Sequence, residues 1–213
     1  MTKKQKIDAI KNAIEKAEQR QSKLTPANME VTGFVSLLGR HLYNNLGSIS
    51  TRFLEIGSHC GCSFTSTVSG NNLLSATAID NFASDLVDER KIMPIFLSNV
   101  ARWTPLETKF KFIHKDSFEV DIKEVLSPND FYIYDGSHDA ESQEKAFTYY
   151  VDTMADEFIT VVDDFDWKDV KKGTYNGIKK ANLEILFEHI LVGNDHDNEG
   201  AWNGYGIFLL RKK

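Results

Sequence analysis

Phe53-Leu54-Glu55-Ile56-Gly57-Ser58-His59-Cys60-Gly61-Cys62-Ser63 is the stretch that decides how this 213-residue chain reads. A short apolar run, broken only by Glu55, leads into a glycine-bearing turn and then into a helical pattern from about residue 62. Such a turn brings backbone N–H groups and a helix N-terminus against an anionic or polar ligand group. A second apolar run, Leu73 to Ile79, ends at Asp80, where a carboxylate can accept hydrogen bonds from a ribose diol. Glycine turn and strand-end acid together outline an adenosine-binding site without choosing the cofactor.

Outward from this stretch, strand-like and helix-like segments alternate. Strands are expected at 52–56, 74–79, 109–114, 131–134 and 158–162, with helices at about 62–69, 84–101, 119–126 and 141–155. Apolar runs without polar alternation suit strands covered on both faces, hence a parallel sheet between helix layers. The last quarter differs. A helix near 168–183 is followed by Phe187–Val192 and Tyr205–Leu210, joined by a polar loop and expected to pair as an antiparallel hairpin. The expected fold is therefore α/β and Rossmann-like, a doubly wound sheet of five parallel strands plus a C-terminal antiparallel hairpin. Residues 51–213 would form that domain and residues 1–50 an N-terminal helical extension.

In the extension, Ile7, Ile10 and Ile14 share one face of an amphipathic helix over 3–22. It must dock on the domain, on a second copy of the chain, or over a ligand. Thr25-Pro26 breaks the pattern, and Thr32 is placed to cap a second helix from Gly33 to Leu46, stopped by Gly47.

A net charge of −6 disfavours nucleic acid as a partner, since phosphate neutralisation needs a basic surface. No apolar run is long enough to span a bilayer and no signal-peptide core follows the N-terminus, so a cytoplasmic location is expected. The two cysteines, Cys60 and Cys62, are too close for an unstrained disulfide and read as reduced and structural. Asp195-His196-Asp197-Asn198-Glu199-Gly200 imitates the start of a calcium loop, but its twelfth position is Gly206 where a bidentate Glu is required. A solvated hairpin loop is the expectation there.

Four strand-end motifs now stand in order: Leu54-Glu55-Ile56-Gly57 through Ser63, Ala78-Ile79-Asp80, Lys115-Asp116-Ser117, and Tyr134-Asp135-Gly136-Ser137-His138 with Val161-Val162-Asp163-Asp164. With them the chain resembles the class I S-adenosylmethionine-dependent methyltransferases, and more narrowly the small-molecule O-methyltransferases of the macrocin, catechol and caffeoyl-CoA type. The resemblance covers roughly residues 50–210. His59 and Cys62 depart from the glycine-richer turn common in that family. The resemblance implies S-adenosylmethionine as cofactor, with Gly57, Ser58, Gly61 and Ser63 lining its amino-acid and ribose portion and Glu55 ordering the turn beneath. Asp80 would take the ribose hydroxyls, and Asp116 the adenine amine with Ser117 nearby. Read as residues alone, Asp80 and Asp116 are equally helix caps or solvated acids.

Asp135, Asp163 and Asp164 follow two apolar runs that should end side by side at the carboxyl edge of the sheet. Converging carboxylates repel one another, and Mg²⁺ or a similar divalent cation would relieve the repulsion. Metal-dependent members of the resembled family carry acids in this arrangement, where the ion lowers the pKa of an acceptor hydroxyl. In the other reading Asp164 or Asp166 caps the helix near Trp167 and Asp163 is buried in a hydrogen-bond network. His138, with Asp135 the expected catalytic pair, is a candidate general base or a residue packing the helix from Glu141. Trp202 and Tyr205 would form an aromatic wall of the substrate pocket or fill the core.

The expected activity is methyl transfer to a hydroxyl of a small molecule. One alternative is a methyltransferase-like domain that binds adenosine ligands or a partner without catalysis, with self-association through the N-terminal helices open. The other is a nucleotide-dependent oxidoreductase, which calls for G-x-G-x-x-G where this chain separates Gly57 and Gly61 by Ser-His-Cys.

Overall fold

The computed structural model describes residues 1–83, 89–193 and 198–213. Seven strands form one mixed sheet in the order β3-β2-β1-β4-β5-β7-β6. The strands are β1 (Arg52–Ile56), β2 (Ser75–Ile79), β3 (Lys109–Ile113), β4 (Asn129–Tyr134), β5 (Met154–Val162), β6 (Leu183–Leu191) and β7 (Tyr205–Lys212). The helices are α1 (Lys3–Glu18), α2 (Pro26–Met29), α3 (Leu37–Ser48), α4 (Cys62–Val68), α5 (Glu89–Trp103), α6 (Ala140–Tyr150) and α7 (Lys168–Lys180). Strands β1 to β5 are parallel neighbours, and β7 lies antiparallel between β5 and β6. The expected parallel core and terminal hairpin are both present.

The pleat sends alternate residues of β1 to opposite faces. Phe53 joins the apolar layer formed by Ile10, Leu42, Phe64 and Phe96 from α1, α3, α4 and α5. Leu54 and Ile56 join Phe147, Tyr150, Val170 and Ile178 from α6 and α7. Phe53 stacks on Phe131 of β4 at 5.2 Å and meets Phe64 of α4 at 5.5 Å, which ties the strand pair to the helix that follows the turn. Each such fully buried aromatic contributes about 1.5–3 kcal/mol.

The first helix settles one open question. Ile10, Ala13, Ile14 and Ala17 are buried in the same layer as the sheet residues, and α1 packs on α3. Lys6 of α1 reaches Glu157 of β5 at 2.7 Å, and Arg211 of β7 holds the same carboxylate. The apolar face of α1 is thus docked on its own chain.

Several boundaries differ from expectation. The second helix starts at Leu37, not Gly33, because Ser36 rather than Thr32 caps it, accepting the Gly39 N–H at 3.0 Å. Gly47 does not stop that helix; it lies inside it, where a Cβ would come within 2.5 Å of the Thr67 carbonyl of α4. The expected helix at 119–126 is only a 3₁₀ turn, Ile122–Glu124, with none of its residues buried to drive a longer one. The expected helix at 141–155 ends at Tyr150, and β5 begins four residues earlier than its apolar run, at Met154. Helix α7 stops at Lys180, and Asn182 turns the chain with a φ of 54° into β6, which starts at Leu183 instead of Phe187. Residues 84–88 of the helix expected at 84–101 and 195–197 of the calcium-like loop lie outside the described residues. Among the described residues, no helix is long and apolar enough to cross a membrane.

Candidate active site

Register brings the strand-end motifs together. Ile56 pairs with Ile79 and with Tyr134, Ile79 with Ile113, and Tyr134 with Val162. The residues one step beyond, Gly57, Asp80, Asp135 and Asp163, therefore emerge along one rim at the carboxyl end of the parallel strands, where open α/β sheets bind ligands. They line a cavity of about 560 Å³ together with Ser58, Ser63, Asp116, Ser117, His138 and Asp164. Two predicted cofactor residues do not line it. Gly61 sits behind the turn, capping α4 in a left-handed conformation and facing Phe96, and Glu55 lies fully buried beneath.

The turn depends on Gly57. Its φ is +87°, and a Cβ there would lie 1.8 Å from the Asp135 carbonyl oxygen. Glycine allows both the left-handed backbone and the contact between the ends of β1 and β4. His59 follows with a φ of 44°, and its N–H donates to Asp80 Oδ2 at 2.7 Å while the Phe82 N–H donates to Asp80 Oδ1 at 2.5 Å. Asp80 thus caps the glycine turn and orders the chain after β2 while still facing the cavity. Burial raises its pKa, against the pull of those two N–H groups. Asp116 accepts the Phe118 N–H at 2.9 Å and, more loosely, the Asn81 amide at 3.4 Å, so both acids are turn-forming and cavity-facing at once.

Glu55 projects to the α3–α4 side with neither carboxylate oxygen in hydrogen-bond geometry to a partner. Desolvation raises its pKa to about 8, and the Ser58 and Ser63 hydroxyls nearby offset only part of that rise. The Ser58 hydroxyl and both ring nitrogens of His59 are likewise buried without partners. Buried polar atoms normally find partners, and these three side chains surround the turn over which a polar ligand would lie.

The acidic end is arranged differently from the spacing. His138 Nε2 lies 3.1 Å from Asp164 Oδ2 and 3.7 Å from Asp135 Oδ1. Ligand atoms of Asp135, His138 and Asp164 all fall within 4.8 Å of one another, the one such group of three among the described residues. Asp163, expected as a ligand, is not part of it. Burial and then the Asp135 and Asp164 carboxylates hold the Asp163 pKa well above the ordinary carboxylate range. Asp135 chiefly, with Asp164 acting in the same sense, raises the His138 pKa against the opposing effect of burial. Asp164 turns the chain with a φ of 53°, and its Oδ1 accepts the Asn203 amide at 2.6 Å.

Phe34, Trp202 and Tyr205 line the cavity, and Trp167 stands outside that lining against His138. Phe34 is 58% exposed, with His59 at 5.2 Å and Trp202 at 6.4 Å. Trp167 is 47% exposed and stands edge-on to His138 at 4.9 Å. Tyr205 both lines the cavity and is fully buried, its hydroxyl 3.2 Å from Ser36 Oγ. Trp202 and Tyr205 were legible as a possible wall; Phe34, Trp167 and Asn203 were not singled out for the site. Phe34 was hidden by its place in the helix expected from Gly33, whereas the helix starts at Leu37 and leaves Phe34 in the loop before it.

Residues 54–165, just over half of the chain, match a family described as a methyltransferase domain. The chain belongs to that family. Solved structures share the fold of this methyltransferase domain at low identity. An O-methyltransferase from Bacillus cereus in complex with SAH is 16% identical with a TM-score of 0.58, covering 96% of this chain and 91% of its own. A Staphylococcus aureus structure assigned to the caffeoyl-CoA O-methyltransferases is 17% identical with a TM-score of 0.57, covering 97% of this chain and 98% of its own. A Streptococcus mutans structure assigned to the SAM-dependent methyltransferases is 13% identical with a TM-score of 0.55 and covers 81% of this chain. The methyltransferase domain spans about half the length of that last protein, 47% of it. No curated protein matches the sequence.

Proposed function

We propose that this methyltransferase domain transfers a methyl group from S-adenosylmethionine to a hydroxyl of a small molecule, assisted by a divalent cation such as Mg²⁺. The observation that carries the reading is the shared rim: five strand ends deliver Gly57, Asp80, Asp116, Asp135 and Asp163 to one cavity. The residues present fit the cofactor. Gly57 keeps the turn free of side chain, Ser58 and His59 hold unpartnered polar atoms beside it, and Asp80 and Asp116 offer carboxylates at the next two strand ends. The cofactor supplies a methyl group activated by its sulfonium. The chain's part is to hold the acceptor oxygen in line with that methyl, and positioning of this kind can supply about 7–11 kcal/mol of the barrier.

The acidic group fits a hard cation, because its donors converge and burial, with the Asp135 carboxylate, raises the Asp164 pKa. Asp135, His138 and Asp164 would hold the ion, with Asp163 beside Asp135. Bound there, the ion would supply Lewis acidity that lowers the pKa of an acceptor hydroxyl. Phe34 and Trp167 would flank the acceptor and exclude water from the transfer. We place the reaction in the cytoplasm, where the Cys60 and Cys62 thiols stay reduced.

A second reading is favoured by the 3.1 Å approach of His138 to Asp164. Without an ion, neutral His138 would take the acceptor proton, and the two carboxylates would pair with the resulting imidazolium. Thermal shift with S-adenosylmethionine, S-adenosylhomocysteine and NAD, with and without Mg²⁺, tests the reading. Stabilisation by the first two of about 2.7 kcal/mol at ~100 times Kd supports it, and stabilisation by NAD alone overturns it. Full turnover in excess chelator selects the metal-free form.

A further inference from the structure

The loop between β6 and β7 is fastened to the acidic end of the cavity. The Phe165 N–H donates to the Gly204 carbonyl at 3.1 Å and the Asp166 N–H to the Asn203 carbonyl at 2.9 Å, so the turn after β5 runs beside the turn before β7. Asp166 Oδ2 accepts the Gly193 N–H at 2.7 Å, which holds the other end of the same loop. Farther along, the Leu37 and Leu38 N–H groups at the start of α3 donate to the carbonyls of Asn198 and Glu199. Asp164 and Trp202, one in each turn, both adopt left-handed backbone, at φ of 53° and 50°. Non-glycine residues hold such conformations where their surroundings over-determine them, often at functional sites.

From this joint Asn203 presents its side chain to the cavity, and its Nδ2 donates to Asp164 Oδ1 at 2.6 Å. The other oxygen of Asp164 is the one 3.1 Å from His138. A hydrogen bond at one oxygen favours the orientation that turns the second toward His138. We propose that Asn203 is a positioning residue that orients Asp164 for cation binding by the Asp135–His138–Asp164 group, making the turn before β7 part of the active site. The inference rests on the metal-assisted reading above. Groups that hold a ligand from behind typically change metal affinity ~10–100-fold when lost.

The test is Mn²⁺ binding to the intact chain without cofactor, by calorimetry and by electron paramagnetic resonance of the free ion. Asn203→Leu keeps the side-chain size and removes the donor, and is expected to weaken Mn²⁺ binding ~10–100-fold. The S-adenosylhomocysteine affinity should stay within a few-fold of wild type, and the ion-free melting temperature should fall by no more than the loss of one hydrogen bond explains. Asn203→Ser, which retains a donor, should recover part of the loss. Wild-type Mn²⁺ affinity in Asn203→Leu overturns the inference and leaves the ion reading standing. Absence of Mn²⁺ binding by the wild type removes the ion reading and the inference together. Should Asn203→Leu fail to fold, the side-chain amide resonance of Asn203 in the unaltered protein decides: it must shift as Mg²⁺ is titrated, and indifference to the ion overturns the proposal.

Discussion

His138 and Asp164 come from different strand ends, yet Nε2 of one lies 3.1 Å from a carboxylate oxygen of the other. The contact joins the loop after β4 to the loop after β5 across the rim where the methyl acceptor would sit. A cation held by the proposed Asp135–His138–Asp164 group would compete with the proton on His138.

That competition has a measurable sign. Neighbouring carboxylates raise the folded-state pKa of His138 above its ordinary 6.5. In the ion-free protein, the imidazolium's contribution to stability is therefore complete below about 6.5 and fades as pH rises through the folded value. A bound cation must displace the same proton. Mg²⁺ affinity measured by calorimetry should climb across that window, and the climb should flatten in His138→Gln. A pH-independent affinity in the wild type would contradict this.

Asp80 serves two purposes, so its removal should be read with care for both. Asp80→Ala orphans the His59 and Phe82 N–H groups, at a cost of about 1–3 kcal/mol in stability. Asp80→Asn retains an acceptor and removes the charge. It still orphans one of the two N–H groups and so should also melt below wild type, while weakening S-adenosylmethionine binding by ~10-fold or more, the scale of one charge-assisted hydrogen bond. Unchanged affinity by calorimetry would remove Asp80 from the ribose.

Burial makes Glu55 a source of pH-dependent instability. Its folded pKa of about 8 exceeds the ordinary 4.5, so the neutral acid is what the fold accommodates. The stability it permits is complete below pH 4.5 and is lost as pH rises through 8. Glu55→Gln should therefore melt higher than the wild type by a margin that grows from pH 5 to about 8 and amounts to a few kcal/mol at most. A margin that does not change with pH would show that the carboxylate is stabilised by a partner.

Gly57→Ala should be severe. The left-handed backbone alone disfavours a Cβ by about 1–3 kcal/mol, and the added atom would overlap the Asp135 carbonyl at 1.8 Å. Urea unfolding should show the loss, and wild-type stability would mean that the β1 and β4 loops can separate freely.

Phe34→Ala should raise the acceptor KM while leaving S-adenosylhomocysteine affinity within a few-fold, because the ring is largely exposed at the opening. An equal loss of both affinities would place Phe34 over the cofactor instead.

What the sequence made legible follows its physics. Strands β2, β4 and β5 run mostly apolar toward carboxyl ends that are marked by acids, so both the parallel core and the rim positions Asp80, Asp135 and Asp163 could be read. Strand β6 could not be bounded, since Glu184 and Glu188 interrupt it and much of it faces solvent. Chain spacing also could not separate Asp163 from Asp164. A left-handed Asp164 turns its carboxylate toward His138 and Asn203, a partnership built from three loops that no local pattern encodes.

Because β7 wedges between β5 and β6, the inner edge of β5 has no neighbour on that side until residues 205–212 leave the ribosome. Trp202, Asn203 and Tyr205, which line the cavity, arrive with that strand. A nascent chain halted before them would carry an open strand edge beside an unfinished catalytic cleft, a state inclined to pair with other chains. Closure of the sheet and completion of the cavity wall thus depend on the same short segment.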